Sequence, residues 1–191
     1  MLQHLRASVV LLAAFTVLTG LAYPLAITAI GQTIWHSQAN GSAILVNGRV
    51  VGSALIGQGF SKDIYFWPRP SAAGDKGYDG RNSSGSNFGP TSKALATRIG
   101  TDAARFGKPA GEIPADLLTA SASGLDPDIS PAAARFQVPR IAAARHLPEA
   151  AVSAVIAHLI ERPFLGVIGE YRVNVLALNL ALDALSQSKA S

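Results

Sequence analysis

Residues 8–30 read SVVLLAAFTVLTGLAYPLAITAI, without one charged side chain. A helix of about 20 such residues crosses the roughly 30 Å hydrocarbon core of a bilayer, so the pattern predicts a transmembrane helix. A cleaved signal peptide is the competing reading, because Gly20-Leu21-Ala22 resembles a small-residue cleavage site. The apolar run continues past Ala22 through Leu25, Ile27 and Ile30. That exceeds the roughly 7–15 residues of a signal core and favours an uncleaved anchor. Arg6 and His4 precede the span, and the next Lys or Arg is Arg49. The positive-inside rule then places residues 1–7 in the cytoplasm and residues 31–191 outside, with Tyr23 and Trp35 as interface aromatics. Pro24 removes a backbone donor in mid-span and predicts a bend or a neighbouring helix. Thr16 and Gly20 form a small-x-x-x-small pair that lets a second helix approach closely. Thr16, Gly20, Tyr23 and Pro24 are therefore candidate partner contacts, although a lone anchor accounts for them as well.

Beyond a polar bridge at residues 37–42, two apolar runs flank Asn47-Gly48, a strong signal for a type I′ hairpin. Three adjacent aromatics follow in Ile64-Tyr65-Phe66-Trp67-Pro68-Arg69-Pro70, and this pattern reads as a strand closed by a stiff extended turn. Residues 71–90 are dense in Gly, Ser, Asn and Asp and read as a long loop, a length that points to disorder or to a function. The remainder has helical spacing. Thr91 is placed to cap a helix over residues 92–106 that Gly107 stops. Pro114 opens a short segment over 115–122, Ser130-Pro131 opens another, and residues 138–145 form a brief helix. A longer helix starts at Pro148, with Val152, Val155, Ile156, Leu159 and Ile160 on one face. Residues 172–187 are apolar on two faces, which predicts a central core helix. The fold class expected is α+β, a small early sheet with helices later, anchored by one amino-terminal transmembrane helix.

Composition narrows the chemistry. Only 15% of the 191 residues are charged and 49% are hydrophobic, with a net charge of +4; average chains carry about 25% charged residues. The basic groups are scattered, which argues against a nucleic-acid coat. The absence of Cys excludes disulfides, thiolate metal sites and thiol catalysis. Phosphate-loop, dinucleotide, zinc-protease and nucleophile-elbow signatures are missing. His36, His146 and His158 lie far apart without carboxylates at ligand spacing, so no metal site is expected. The Gly/Ser/Asn loop offers backbone donors to a phosphate, although such loops are commonly only loops. Tyr65, Phe66, Trp67 and Arg69 are of the residue types in which interface energy concentrates, and are candidates for an exposed partner surface. The competing reading puts Phe66 and Trp67 in the core.

GSALIGQGF (52–60), YFWPRPSAA (65–73), GSNFGPTS (85–92), ADLLTASASGLDPDISPAAA (115–134), QVPRIAAAR (137–145) and GEYRVNVLALNLALD (169–183) occur in this order. Together they closely resemble the KdpC family, the C subunit of the Kdp potassium-transporting P-type ATPase, over essentially the whole chain. The family commonly has His where this chain has Asp128, and Pro where it has Tyr171. The resemblance implies a bacterial inner-membrane protein that performs no chemistry alone. It implies an accessory subunit beside a channel-like subunit, a P-type ATPase subunit and a small single-span subunit, in a complex that takes up potassium at the expense of ATP. It further implies a catalytic chaperone that raises the ATP affinity of the ATPase subunit. No firmly held cofactor is expected, with ATP reached through that subunit. The alternative is direct nucleotide contact, for which Gln58, Gly85, Ser86, Asn87 and Gly89 are the candidate loop residues. That alternative requires the soluble part to face the cytoplasm. An independent anchored enzyme needs an acid, a base and a nucleophile that the sequence does not display.

Overall fold

The structure is a computed structural model that describes residues 2–188. The chain divides into two compact units, residues 1–51 and 52–191.

The first unit is dominated by one long apolar helix, Gln3–Ile34, long enough to cross a membrane. It comprises α1 (Leu2–Val17), a π-helical turn (Leu18–Ala22) and α2 (Tyr23–Ile34). The π turn lies immediately before Pro24. The Tyr23 N–H bonds the Leu18 carbonyl, five residues back. Pro24 cannot donate, and its ring would strike the carbonyl four residues earlier in a regular helix. Widening one turn relieves that clash, which is how a proline is carried in a continuous span. Thr19 Oγ1 donates to the Phe15 carbonyl at 2.7 Å beside the same turn. After α3 (His36–Ala39), β1 (Ala43–Val46) and β2 (Arg49–Ser53) pair as a hairpin. Asn47 and Gly48 have φ of 51° and 75°, the two positive values a type I′ turn requires.

The second unit is mostly helical. Its elements are α4 (Lys93–Ala104), β3 (Asp128–Ile129), α5 (Pro131–Phe136), α6 (Val138–Arg145), α7 (Glu149–Leu159), β4 (Val173–Asn174) and α8 (Val175–Ser188). Ile141 of α6, Val152 and Ile156 of α7, and Leu178 and Leu182 of α8 are completely or almost completely buried. α8 is central, as its two apolar faces predict. It begins at Val175, because Val173 and Asn174 pair antiparallel with Ile129 and Asp128. Asn174 Oδ1 then accepts from the Ala177 N–H at 3.0 Å and caps the helix. Ser130 caps α5 in the same way, Oγ accepting from the Ala133 N–H at 3.0 Å.

Other expectations give way. α4 starts at Lys93 with Ser92 rather than Thr91 at its cap position, and the cap side chain makes no bond to the helix. The segment at 115–122 forms only a 3₁₀ turn, Ala115–Leu117. The expected early sheet does not grow past the hairpin, and the other strands, β3 and β4, are two residues each. The aromatic run forms no strand.

Candidate functional site

Residues 63–65 form a turn in which the Tyr65 N–H bonds the Lys62 carbonyl at 3.1 Å, and Phe66 and Trp67 follow without a strand partner, so the remaining polar groups of 63–67 must be satisfied by other means. Side chains from α6, α8 and the residue between α5 and α6 do this. Asn179 Oδ1 accepts from the Phe66 N–H at 2.8 Å and its Nδ2 donates to the Phe66 carbonyl at 3.1 Å. Gln137 repeats the arrangement on Trp67, accepting from its N–H at 2.8 Å and donating to its carbonyl at 3.0 Å. Arg140 donates to the carbonyls of Asp63 and Tyr65, and Arg145 to that of Ile64. Two amides and two arginines thus replace the neighbouring strand. Gln137 and Asn179 are buried, at 1% and 2% exposure, because their amides are fully used in the clamp.

The aromatic side chains are packed inward. Phe66 is fully buried and Trp67 nearly so, which corrects the expectation of an exposed aromatic surface; the core reading of these two residues holds. The Arg140 guanidinium lies 3.9 Å from the Trp67 ring centre, and Arg105 stacks at 4.8 Å. Burial pulls the Arg140 guanidinium down to about 10, and the Arg105 charge pushes the same way. Tyr65 is half-buried, its hydroxyl donating to Asp183 at 3.2 Å, while Asp183 also pairs with Arg145 at 2.7 Å. Burial raises the Tyr65 hydroxyl, assisted by the Asp183 charge.

Arg69 lies beyond the clamp in a half-buried ion pair with Asp126 at 2.8 Å. The pair lines a cleft of about 490 Å³ shared with Asp116, Asp128, Phe164, Ile168 and Glu170. Arg172 reaches Asp128 at 3.4 Å and Glu161 at 2.9 Å. The Asp128 carboxyl is held above its usual range, first by burial and then by the nearby Asp126 and Glu161 charges, against the pull of Arg172. Asp128 and Tyr171 both line this cleft.

The Gly/Ser/Asn loop is tied down rather than loose. Ser71 Oγ donates to the Gly124 carbonyl at 2.6 Å and accepts from the Tyr78 N–H at 2.8 Å. The Tyr78 hydroxyl donates to the Arg69 carbonyl, and the Ser84 N–H bonds the Ser123 carbonyl at 2.9 Å. The five loop candidates have different surroundings. Gln58 lies against Gly52, whereas Gly85 packs on the Ala122 backbone. Ser86 is half-buried, and Asn87 and Gly89 are exposed. In the long apolar helix, Thr16, Gly20, Tyr23 and Pro24 are all exposed, and a Cβ on Gly20 would meet nothing within 4 Å. Sequence reasoning missed Gln137, Asn179, Arg140 and Arg145. The available signal was Asn179 as the one polar residue in LALNLAL (176–182), and Gln137 beside the two arginines of QVPRIAAAR.

The family model described as "K+-transporting ATPase, c chain" matches residues 5–184. The chain belongs to the KdpC family. A potassium-transporting ATPase KdpC subunit of Caulobacter vibrioides is 59% identical over 187 residues, covering 96% of this chain and 94% of the relative. The Gemmatimonas aurantiaca subunit is 55% identical over all of this chain and 98% of its own. That of Bradyrhizobium diazoefficiens is 53% identical, covering 96% and 98%. This KdpC-family chain therefore matches its relatives from the apolar helix through α8.

Proposed function

We propose that this chain is a non-catalytic accessory subunit of an ATP-driven potassium uptake complex, required for the complex to assemble and remain stable. The observation that carries the reading is the end-to-end match to relatives named as KdpC subunits of a potassium-transporting ATPase. The chemistry of the soluble unit agrees. Its most buried amides and its arginines at positions 140 and 145 are engaged in holding the chain's own backbone. The partners are the channel-like subunit, the P-type ATPase subunit and the small single-span subunit, with lipid around the span. The Gln3–Ile34 helix anchors the chain in the bacterial inner membrane. Arg6 and His4 on its amino-terminal side set residues 1–7 in the cytoplasm and the bulk of the chain outside.

In that topology the soluble unit does not meet cytoplasmic ATP. Any rise in the ATP affinity of the ATPase subunit is transmitted through subunit contacts as a coupling free energy. The test is deletion of the chain from a cell dependent on this transporter at low potassium, with a compartment reporter fused after Ser191 in parallel. Loss of growth, loss of the assembled complex and an external reporter are expected. A deletion strain that grows and assembles normally refutes the assembly role. An internal reporter with saturable ATP binding by the chain favours the direct-nucleotide alternative.

A further inference from the structure

Between α7 and β4 the chain folds back on itself as a narrow hairpin. Glu161 and Arg172 exchange backbone bonds at 2.9 and 3.2 Å, and Phe164 and Ile168 do so at 2.8 and 3.0 Å. At its tip Phe164, Leu165, Val167 and Ile168 are 68%, 79%, 80% and 62% exposed. Leu165 is held at a φ of 52°, in the left-handed region that disfavours a leucine. Four adjacent large apolar side chains projected from a strained turn are characteristic of an interaction element rather than of a solvated loop.

The cleft of about 490 Å³ beside the tip shows what kind of surface covers it. Phe164 and Ile168 form one wall, and the charged groups behind them are Asp116, Asp126, Asp128 and Glu170 against Arg69 and Arg172. Four carboxylates face two guanidiniums, and Glu170 has no ion-pair partner among the described residues. The Asp128 carboxyl is raised first by burial, and the neighbouring Asp126 and Glu161 charges push the same way. A phospholipid surface suits the apolar tip but sets phosphates against those carboxylates. A polypeptide segment that presents a Lys or Arg next to apolar side chains suits both features.

We propose that the 161–172 hairpin and its acidic cleft are a docking surface for a basic, apolar-flanked segment of another subunit of the transporter. The proposal rests on the accessory-subunit reading. The apolar flank of the segment packs on Phe164 and Ile168, and its cation enters the cleft toward Asp128 and Glu170.

The test uses the full chain co-expressed with its transporter subunits in native membranes. A photo-crosslinking residue is placed at Val167 and, as a control, at Ala150 on the opposite end of α7. The expected result is an adduct between position 167 and one other subunit, and none from position 150. Leu165→Ser with Val167→Ser is expected to lower the partner retained on purification about tenfold, since apolar anchors dominate such contacts. Asp128→Asn with Glu170→Gln is expected to weaken retention and its dependence on salt. Adducts only to lipid, adducts to a second copy of the chain, or retention unchanged in both double variants overturn the docking proposal while leaving the subunit role intact. If no transporter subunit co-purifies with the unaltered chain, the accessory-subunit reading itself fails, and this proposal with it.

Discussion

Asn179→Leu tests the amide clamp directly. The substitution keeps the side-chain volume similar but removes both partners of Phe66, whose N–H and carbonyl bond Asn179 at 2.8 and 3.1 Å. Phe66 is fully buried, so water cannot replace them. Each buried group left unpaired costs about 1–3 kcal/mol, giving roughly 2–6 kcal/mol for the two. The added leucine recovers part of this by apolar burial, at about 1.5–3 kcal/mol for a full side chain. A net loss of about 1–3 kcal/mol is expected. With a urea slope near 2 kcal/mol/M for a domain of this size, the midpoint falls by about 0.5–1.5 M.

The assay is urea unfolding of the full chain in detergent, followed by Trp67 fluorescence on a Trp35→Phe background, since these are the two tryptophans. Gln137→Leu provides the companion, because it also releases Trp67 from both of its backbone bonds. Phe66 and Trp67 are adjacent, so freeing one slackens the other, and the double variant is expected to lose less than the sum. An Asn179→Leu midpoint within about 0.3 M of the parent would refute the reasoning. Phe66 would then be held by packing alone, and the Asn179 amide would be a bystander.

The remaining predictions concern the loop, a buried carboxylate and the hairpin tip. Gly124 has a φ of 66°, and a Cβ there would lie 2.5 Å from the Ser84 carbonyl oxygen and 2.7 Å from the Ala73 nitrogen. Gly124→Ala should therefore cost about 2–4 kcal/mol in the same unfolding assay and speed proteolysis of residues 71–90. Asp102 Oδ2 is buried without a hydrogen bond, 3.6 Å from Arg98 Nε, and burial raises its carboxyl despite Arg98 and Arg105. A raised folded-state value means the group's contribution is full at low pH and is lost as pH rises through that value. Asp102→Asn should therefore gain on the parent between pH 4 and pH 7, and a parallel pair of pH profiles would count against the burial argument. Leu165→Asn relieves the positive φ of 52° at an exposed position and should raise stability by about 0.5–1 kcal/mol in urea unfolding.

What the sequence discloses follows from the range over which each signal acts. The long apolar helix, the Asn47-Gly48 hairpin, the Ser130 cap and the α7 face are local, set by residues within a turn or two of each other, and each appears where the pattern puts it. The aromatic run misleads because three adjacent aromatics closed by two prolines match the end of a strand, yet whether a strand forms depends on what lies alongside. Here that neighbour is supplied from 70 and 113 residues away, by Gln137 and Asn179. A buried amide in an apolar helix usually marks such a demand, because its desolvation must be repaid by backbone groups with no other partner. Once the clamp turns Phe66 and Trp67 inward, they are not available as a partner surface. Exposed apolar area in the second unit is instead concentrated at Phe164, Leu165, Val167 and Ile168, to which no sequence pattern assigned a role. The inversion has one cause. Long-range amide and guanidinium bonds satisfy the aromatic segment from within, whereas the hairpin satisfies its own backbone and leaves its side chains for something outside the chain.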